Sequence, residues 1–203
     1  GFPIRDRKPS EYDLIINIPP GSTKSTIATV MFPVWCWTID PTMKFITGSY
    51  SGDLAEDHAL LSRDVVRSEK FLNMYPDIDM RQDMDLKRSY KNTLGGMRIT
   101  TSVGGTSTGK HAHCIIIDDP INPQDAESET ARLNANRWMD RTISTRKVDR
   151  DGTPTILIMQ RLHEDDCTGH LLSKKGKKVK HICLPASTEG TIIPSSTKKY
   201  YED

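Results

Sequence analysis

Asp13-Leu14-Ile15-Ile16-Asn17-Ile18-Pro19-Pro20-Gly21-Ser22-Thr23-Lys24-Ser25-Thr26 is the stretch on which the fold turns. Its apolar run stops at Pro19-Pro20-Gly21, as a buried strand feeding a sharp loop does. A helix is expected from about Lys24 to Trp37, with Pro33 kinking it or shifting its end. Where a strand passes through a loop into a helix, backbone N–H groups converge and the helix dipole favours an anion. Pro20, Gly21, Ser22, Thr23, Lys24, Ser25 and Thr26 would form such a phosphate cradle. Lys24 would bridge the β- and γ-phosphates, and Ser25 would coordinate Mg²⁺. The strict pattern G-x-x-x-x-G-K-[ST] is not met, because Thr23 precedes Lys24 and Ile18 stands where the first glycine belongs. A Pro-Gly turn before an ordinary capped helix, with Lys24 solvated, is the competing reading.

A second segment bears on that choice. His113-Cys114-Ile115-Ile116-Ile117 leads into Asp118-Asp119-Pro120, a buried strand ending in paired carboxylates. One carboxylate can hold the water shell of Mg²⁺, while its neighbour, facing the γ-phosphate, orients or deprotonates an attacking water. Two helix-capping acids before a proline are the alternative. A third apolar strand, Thr153 to Gln160, runs into Gln160-Arg161-Leu162-His163-Glu164-Asp165-Asp166. There Gln160 and Arg161 are placed to sense the γ-phosphate, and His163 and Glu164 read as exposed loop beside a helix cap.

Outward from these segments the chain alternates strand and helix. Met43 to Tyr50 reads as a strand, and Leu54, Ala55, Ala59, Leu61, Ser62, Val65 and Val66 recur at helical spacing. Asn73 to Leu94 reads as a polar, irregular surface excursion around Pro76. Gly95 to Lys110 suggests strands joined by tight turns. Gln124 to Arg146 carries a helical pattern, a short helix follows Asp165 to about Ser173, and Lys177 to Leu184 is a last strand. Strands buried on both faces and alternating with helices indicate an α/β fold with a mainly parallel sheet sandwiched by helices. Ligands in such sheets sit beyond the carboxyl ends of the strands, just after Ile18, Ile117 and Met159. Three parts are expected: an extension over 1–10, a domain over 11–184, and a linker over 185–203.

The 203 residues suffice for one substantial core. No apolar run is long enough for a membrane span, and no membrane partner is expected. Lys and Arg (28) nearly balance Asp and Glu (27), so a nucleic-acid partner needs a local patch rather than bulk basicity. The four cysteines have no zinc spacing and read as reduced core thiols.

Taken together, Ile18 to Thr26, Gly48-Ser49-Tyr50-Ser51 with Leu54-Ala55, Ser62-Arg63-Asp64, Gly104-Gly105, Thr108-Gly109, Ile115 to Pro120 and Gln160 to Asp166 resemble the ATPase motor domain of tailed-bacteriophage large terminases. The resemblance covers about Asp13 to Pro185. It implies a P-loop NTPase of the additional-strand type, with one extra strand between the Walker A and Walker B strands. It further implies ATP and Mg²⁺ as cofactors, Lys24 and Ser25 on phosphate and metal, and Asp118 as the Walker B acid. Asp119 stands in the place of a catalytic glutamate, and Gln160-Arg161 in that of the coupling motif. Many relatives carry Arg-His-Gly-Lys where this chain has Gly21-Ser22-Thr23-Lys24, so no loop arginine is available in cis. Lys110 and Arg98 are candidates for a finger inserted into a neighbouring subunit, or else solvated loop charges.

The implied function is ATP hydrolysis coupled to movement of double-stranded DNA into a procapsid. The alternatives are a helicase-like P-loop motor and a non-hydrolysing nucleotide-binding assembly module. Implied partners are duplex DNA held without sequence preference, the portal and procapsid, and the small terminase subunit. A homo-oligomeric ring is implied on assembly, with a monomer as the free state, in the host cytoplasm. Relatives also carry a metal-dependent nuclease, which is not expected of this stretch of chain. Lys174, Lys175, Lys177, Lys178 and Lys180 form the one concentrated basic run, suited to non-specific phosphate contact.

Overall fold

In the computed structural model, which describes residues 8–105, 109–174, 178–187, 190 and 192–201, the opening apolar run becomes strand β1 (Asp13–Asn17), one place in from an edge of the sheet. Seven further strands join it: β2 (Lys44–Ser49), β3 (Met80–Leu86), β4 (Ser89–Asn92), β5 (Met97–Ser102), β6 (Cys114–Asp118), β7 (Thr155–Met159) and β8 (Val179–Cys183). Their order is β3-β4-β5-β2-β6-β7-β1-β8. The pairings from β5 through to β8 are parallel, and β3 and β4 are added antiparallel at one edge. β7 therefore lies between β1 and β6, with Ile16 beside Ile158 and Asp118 beside the same residue on the other side. This is the mainly parallel α/β sheet that the sequence pattern predicts, with the interposed strand that the resemblance implies.

Alternation along each strand feeds two cores. On one face Ile15, Ile115, Ile117 and Leu157 pack with Ala135, Trp138, Met139 and Ile143 of the helical stretch after Ser128. On the other, Ile116, Ile156 and Ile158 pack with Val34, Trp37, Ala59, Val66 and Phe71. The helices concerned are α1 (Phe32–Ile39), α2 (Gly52–Arg67), α3 (Glu69–Met74), α4 (Glu129–Trp138) and α5 (Cys167–Ser173). Both faces are thus covered, which is why these strands read as unbroken apolar runs rather than polar alternations.

Four sequence expectations are corrected. The helix predicted to end at Trp37 runs to Ile39, and its first part, Thr26–Met31, is a π-helix that leads into α1. Pro33 has no N–H for the i−4 carbonyl, and the widened turn before it accommodates the ring without ending the helix. The region predicted irregular, Asn73 to Leu94, contains α3's last residues and the β3–β4 hairpin. Its strand β3 is an exposed, charged edge with no apolar alternation to betray it. Between Gly95 and Lys110 only β5 is a strand among the described residues, because Gly104 and Gly109 turn the chain at φ +78° and +76°. The helix predicted from Gln124 instead starts at Glu129, where the Ser128 hydroxyl accepts the Ala131 N–H at 3.3 Å. It continues through a π-turn, Met139–Ile143, and a 3₁₀ turn, Ser144–Arg146.

Cys36, Cys114 and Cys167 are buried free thiols, and burial pushes those of Cys114 and Cys167 up to about 12. Beyond Pro185, Ile193 pairs antiparallel with Cys183 of β8 and a 3₁₀ turn spans Ser195–Tyr201.

Candidate nucleotide-binding site

The carboxyl ends of β1, β6 and β7 converge on one edge of the sheet, as their parallel registers require. Between β1 and the π-helix the loop curls through Gly21 at φ +75° and Thr23 at φ +58°. A Cβ on Gly21 would meet nothing within 4 Å, so the loop surface there is open. The Ser22 hydroxyl donates to the Pro19 carbonyl at 2.6 Å and holds the curl shut. Thr23 occupies the position where a phosphate loop places glycine, and it adopts the left-handed conformation that glycine would take there.

The loop delivers Lys24 to the tip of β6. Its Nζ lies 3.2 Å from Oδ2 of Asp119, and the lysine side chain is only 9% exposed. Asp119 is fixed by its neighbours. Its N–H donates to the Ile158 carbonyl at 2.8 Å, its own carbonyl accepts from the Tyr50 N–H at 3.0 Å, and the Gln160 backbone N–H donates to its carboxylate. Its φ of +45° belongs to the region that Asp tolerates better than most residues. Burial raises the Asp119 carboxyl pKa above its ordinary value, and the charge of Lys24 pulls it back. A partly dehydrated carboxylate beside a movable cation is suited to accepting a proton.

Asp118 is buried behind it. Oδ2 accepts the Thr29 hydroxyl at 2.7 Å and lies 3.5 Å from Nδ1 of His58. Oδ1 is also buried and has no hydrogen-bond partner among the described residues. That orphaned oxygen is a hard donor of the kind Mg²⁺ takes, and Ser25, just before the π-helix that carries Thr29, has a hydroxyl of the same kind. Among the described residues no cluster of three His, Cys, Asp or Glu side chains forms a dedicated metal cage. A cation here would draw its remaining oxygens from phosphates and water, as Mg²⁺ usually does.

The structure thus brings Lys24, Asp118, Asp119 and the backbone of Gln160 together. It takes Arg161 elsewhere. The Arg161 guanidinium binds Oδ2 of Asp166 at 2.9 Å and the carbonyls of His163 and Glu164 at 3.0 and 3.3 Å. It braces the turn that leads into α5. Arg98 is 1% exposed, bonded to the Ser62 and Thr47 hydroxyls, so it cannot enter a neighbouring subunit and is excluded as a finger. Lys110 lies at a half-buried position with its Nζ 3.4 Å from the Ser89 hydroxyl. Thr108 falls outside the described residues.

Two contributors escape the sequence reading, Thr29 and His58. The signal for His58 is its place on α2, three residues after Ala55 and four before Ser62, inside the buried stripe. A histidine in such a stripe needs a polar partner. Desolvation lowers its pKa, Asp118 opposes this and Arg98 reinforces it.

A strand-loop-helix cradle facing the acidic tip of a strand two places away, with one strand between, defines the P-loop NTPase fold. Within that class the fold is similar to the large terminase ATPase domain of Thermus phage P74-26, at a TM-score of 0.56 and 13% identity, over 94% of this chain and 81% of that one. The N-terminal domain of the DNA packaging ATPase from bacteriophage phi29 matches at a TM-score of 0.49 and 10% identity, over 85% of this chain and 89% of that one. The large terminase of the thermophilic bacteriophage D6E, solved in complex with ADP, matches at 0.47 and 11% identity over 97% of this chain, which spans 45% of that chain's length. No protein-family model and no curated protein matches the sequence.

Proposed function

We propose that this chain is the Mg²⁺-dependent ATPase domain of a DNA-packaging motor, turning ATP hydrolysis into movement of double-stranded DNA into a procapsid. The observation that carries the proposal is the Lys24–Asp119 ion pair beside the unpartnered Oδ1 of Asp118. A cation and two carboxylates are held on the sheet edge where this fold binds phosphates.

In this reading the loop N–H groups from Pro20 to Thr23 and the start of the helix receive the β- and γ-phosphates. Lys24 gives up Asp119 for the phosphate oxygens. Ser25 and Asp118 would hold Mg²⁺, which would supply positive charge against that developing on the transferred phosphoryl group. The Thr29 hydroxyl fixes the rotamer of Asp118, and His58 packs 3.5 Å from the same oxygen. Asp119, released from Lys24, accepts the proton of the attacking water at Oδ2. Gln160, through its backbone bond to that carboxylate, couples the nucleotide state to β7 and to the Arg161–Asp166 turn. Duplex DNA, the portal, the small subunit and further copies of the chain in a ring are the partners, in the host cytoplasm.

Isothermal titration with an ATP analogue and Mg²⁺, together with phosphate release, tests this reading. Wild type takes up nucleotide, Lys24→Ala does not, and Asp119→Asn binds but turns over about 10²–10⁴-fold more slowly. Absence of uptake by folded wild type would remove the ATPase reading. Strand separation on a forked substrate without packaging would replace it with a helicase-like motor.

A further inference from the structure

Most arginines of the described structure are spoken for. Arg63 and Arg67 hold Asp85, Arg81 holds Asp83, Arg88 holds Glu56 and Arg161 holds Asp166. Arg98 and Arg132 are buried and bonded internally. Arg137, Arg141, Arg146 and Arg150 have no carboxylate partner among the described residues, and the first three line one groove of about 500 Å³. The groove runs between α4 with its π and 3₁₀ extensions and the chain leaving β5 at Gly104.

Its chemistry is one-sided. No acidic residue lines it, and Asn134 adds a neutral polar side chain. Asp140, the one acid on the same helical turn, is directed away onto His170 and Lys174. Arg137 and Arg141 are exposed, and unpaired guanidiniums at a reachable surface ask for an anionic oxygen. Gly104 stands at the rim with φ +78°, and nothing lies within 4 Å of where its Cβ would be, so a ligand backbone can approach closely.

We propose that this groove grips the phosphodiester backbone of duplex DNA. The inference rests on the packaging-motor reading for its choice of polyanion and on the groove alone for its location. Arg137 and Arg141 are about one turn apart, roughly 6 Å along the axis. Each can therefore take its own phosphate on a backbone that advances about 3.4 Å per nucleotide along the duplex. Trp138 is buried, so no aromatic face is offered for base stacking, and contact is with the backbone rather than unstacked bases. The lysine run is less available than its sequence suggests. Among its described members Lys174 is paired with Asp140 and Lys180 lies over the Tyr12 ring, while Lys178 is exposed.

The groove is mechanically tied to the nucleotide edge. Trp138 on its wall packs in one core with Ile117, the residue before Asp118. Its ring lies 2.7 Å from where a Cβ on Gly48 would stand. A displacement of Asp118 thus has a packed route to the groove wall.

Fluorescence anisotropy of a labelled duplex of about 20 base pairs, titrated across about 50–200 mM salt, tests the proposal. Replacing all three arginines by glutamine is expected to weaken binding by at least about tenfold and to reduce the log–log salt slope by about two to three. Replacing them by lysine, which keeps the charge, is expected to retain the slope. Arg137 and Arg141 are exposed, so Arg137→Glu supplies a variant whose folding is not at stake, with a slope reduced by about one. Unchanged affinity and slope in these variants, or no duplex binding by wild type, overturns the proposal. So does loss of orthophosphate binding with duplex binding intact, which would make the groove a small-anion site. Lys24→Ala is expected to bind duplex as wild type does, so a failed nucleotide reading and a failed groove give different results.

Discussion

At Thr23 a β-branched residue holds φ at +58°, a conformation that costs an L-residue about 1–2 kcal/mol. Substituting glycine removes that strain and adds about 0.4–1 kcal/mol of unfolded-chain entropy. Thr23→Gly is therefore expected to stabilise the protein by roughly 0.5–1 kcal/mol, read from urea denaturation midpoints. An unchanged or lower midpoint would show that the local bond from the Thr23 hydroxyl to the Ser22 carbonyl outweighs the strain. Gly48 poses the opposite constraint. An added Cβ would stand 2.7 Å from the Trp138 ring, 3.0 Å from Ile117 and 3.2 Å from Thr101. Gly48→Ala is expected to cost about 1–3 kcal/mol by overpacking, and to disturb metal-dependent nucleotide uptake because Ile117 carries Asp118. A variant of wild-type stability and affinity would refute this. At this scale the sequence showed Lys24, Asp118 and Asp119 because charge and strand ends are local signals. It hid Thr29 and His58, whose roles exist only once two helices lie against the tip of β6.

The elements around the site are defined by their ends as much as by their interiors. Asp166 is wholly buried and caps α5, accepting the Gly169 N–H at 3.0 Å. It also receives the Leu162 N–H at 3.1 Å and the Arg161 guanidinium. Asp166→Ala removes a helix cap and leaves charged and backbone donors unanswered, a loss of about 2–4 kcal/mol. Thermal unfolding measures it, and a cost below about 0.5 kcal/mol, that of an ordinary surface change, would contradict the assigned geometry. Asp165-Asp166 before a short helix was legible as a cap, but the sequence could not tell that Arg161 serves that cap rather than the phosphate. The π-helix was not legible at all. Its hydrogen bonds depend on how the backbone relaxes ahead of Pro33, and its consequence is to bring Thr29 onto Asp118. The β3–β4 hairpin was hidden for a different reason. Asp85 is held by Arg63 and Arg67 of α2, a tertiary contact that stands in for the missing apolar pattern.

For the whole molecule, the sheet was readable because its central strands are apolar on both faces, and only a fold with helices on both sides buries such strands. Strand order was not readable from periodicity; the interposition of β7 came from the resemblance, and the register confirms it. The near-balance of charge likewise concealed its distribution, in which three arginines share a groove that no acidic residue lines. The same burial that organises the sheet sets its acid response. His58, against the site, and His181 on β8, 2.7 Å from Oδ1 of Asn17, both have pKa values lowered chiefly by desolvation. Asp118 and Arg98 act on the first in opposite senses, as Asp166 and Arg161 do on the second. Below about pH 6.5 the unfolded chain protonates these imidazoles before the folded protein does. The unfolded state then binds more protons, so stability falls as pH falls from about 6.5 toward the folded-state values, and the full contribution is present above about 6.5. Asp119 acts in the reverse sense in more acidic solution, because its raised pKa makes the folded state take up a proton first. Urea midpoints are accordingly expected to decline between pH 7.5 and 5.5, and His181→Gln, which retains a donor toward Asn17 without an imidazole to protonate, should flatten that decline. A midpoint that rises on acidification through this interval would mean that these histidines are charged in the native protein.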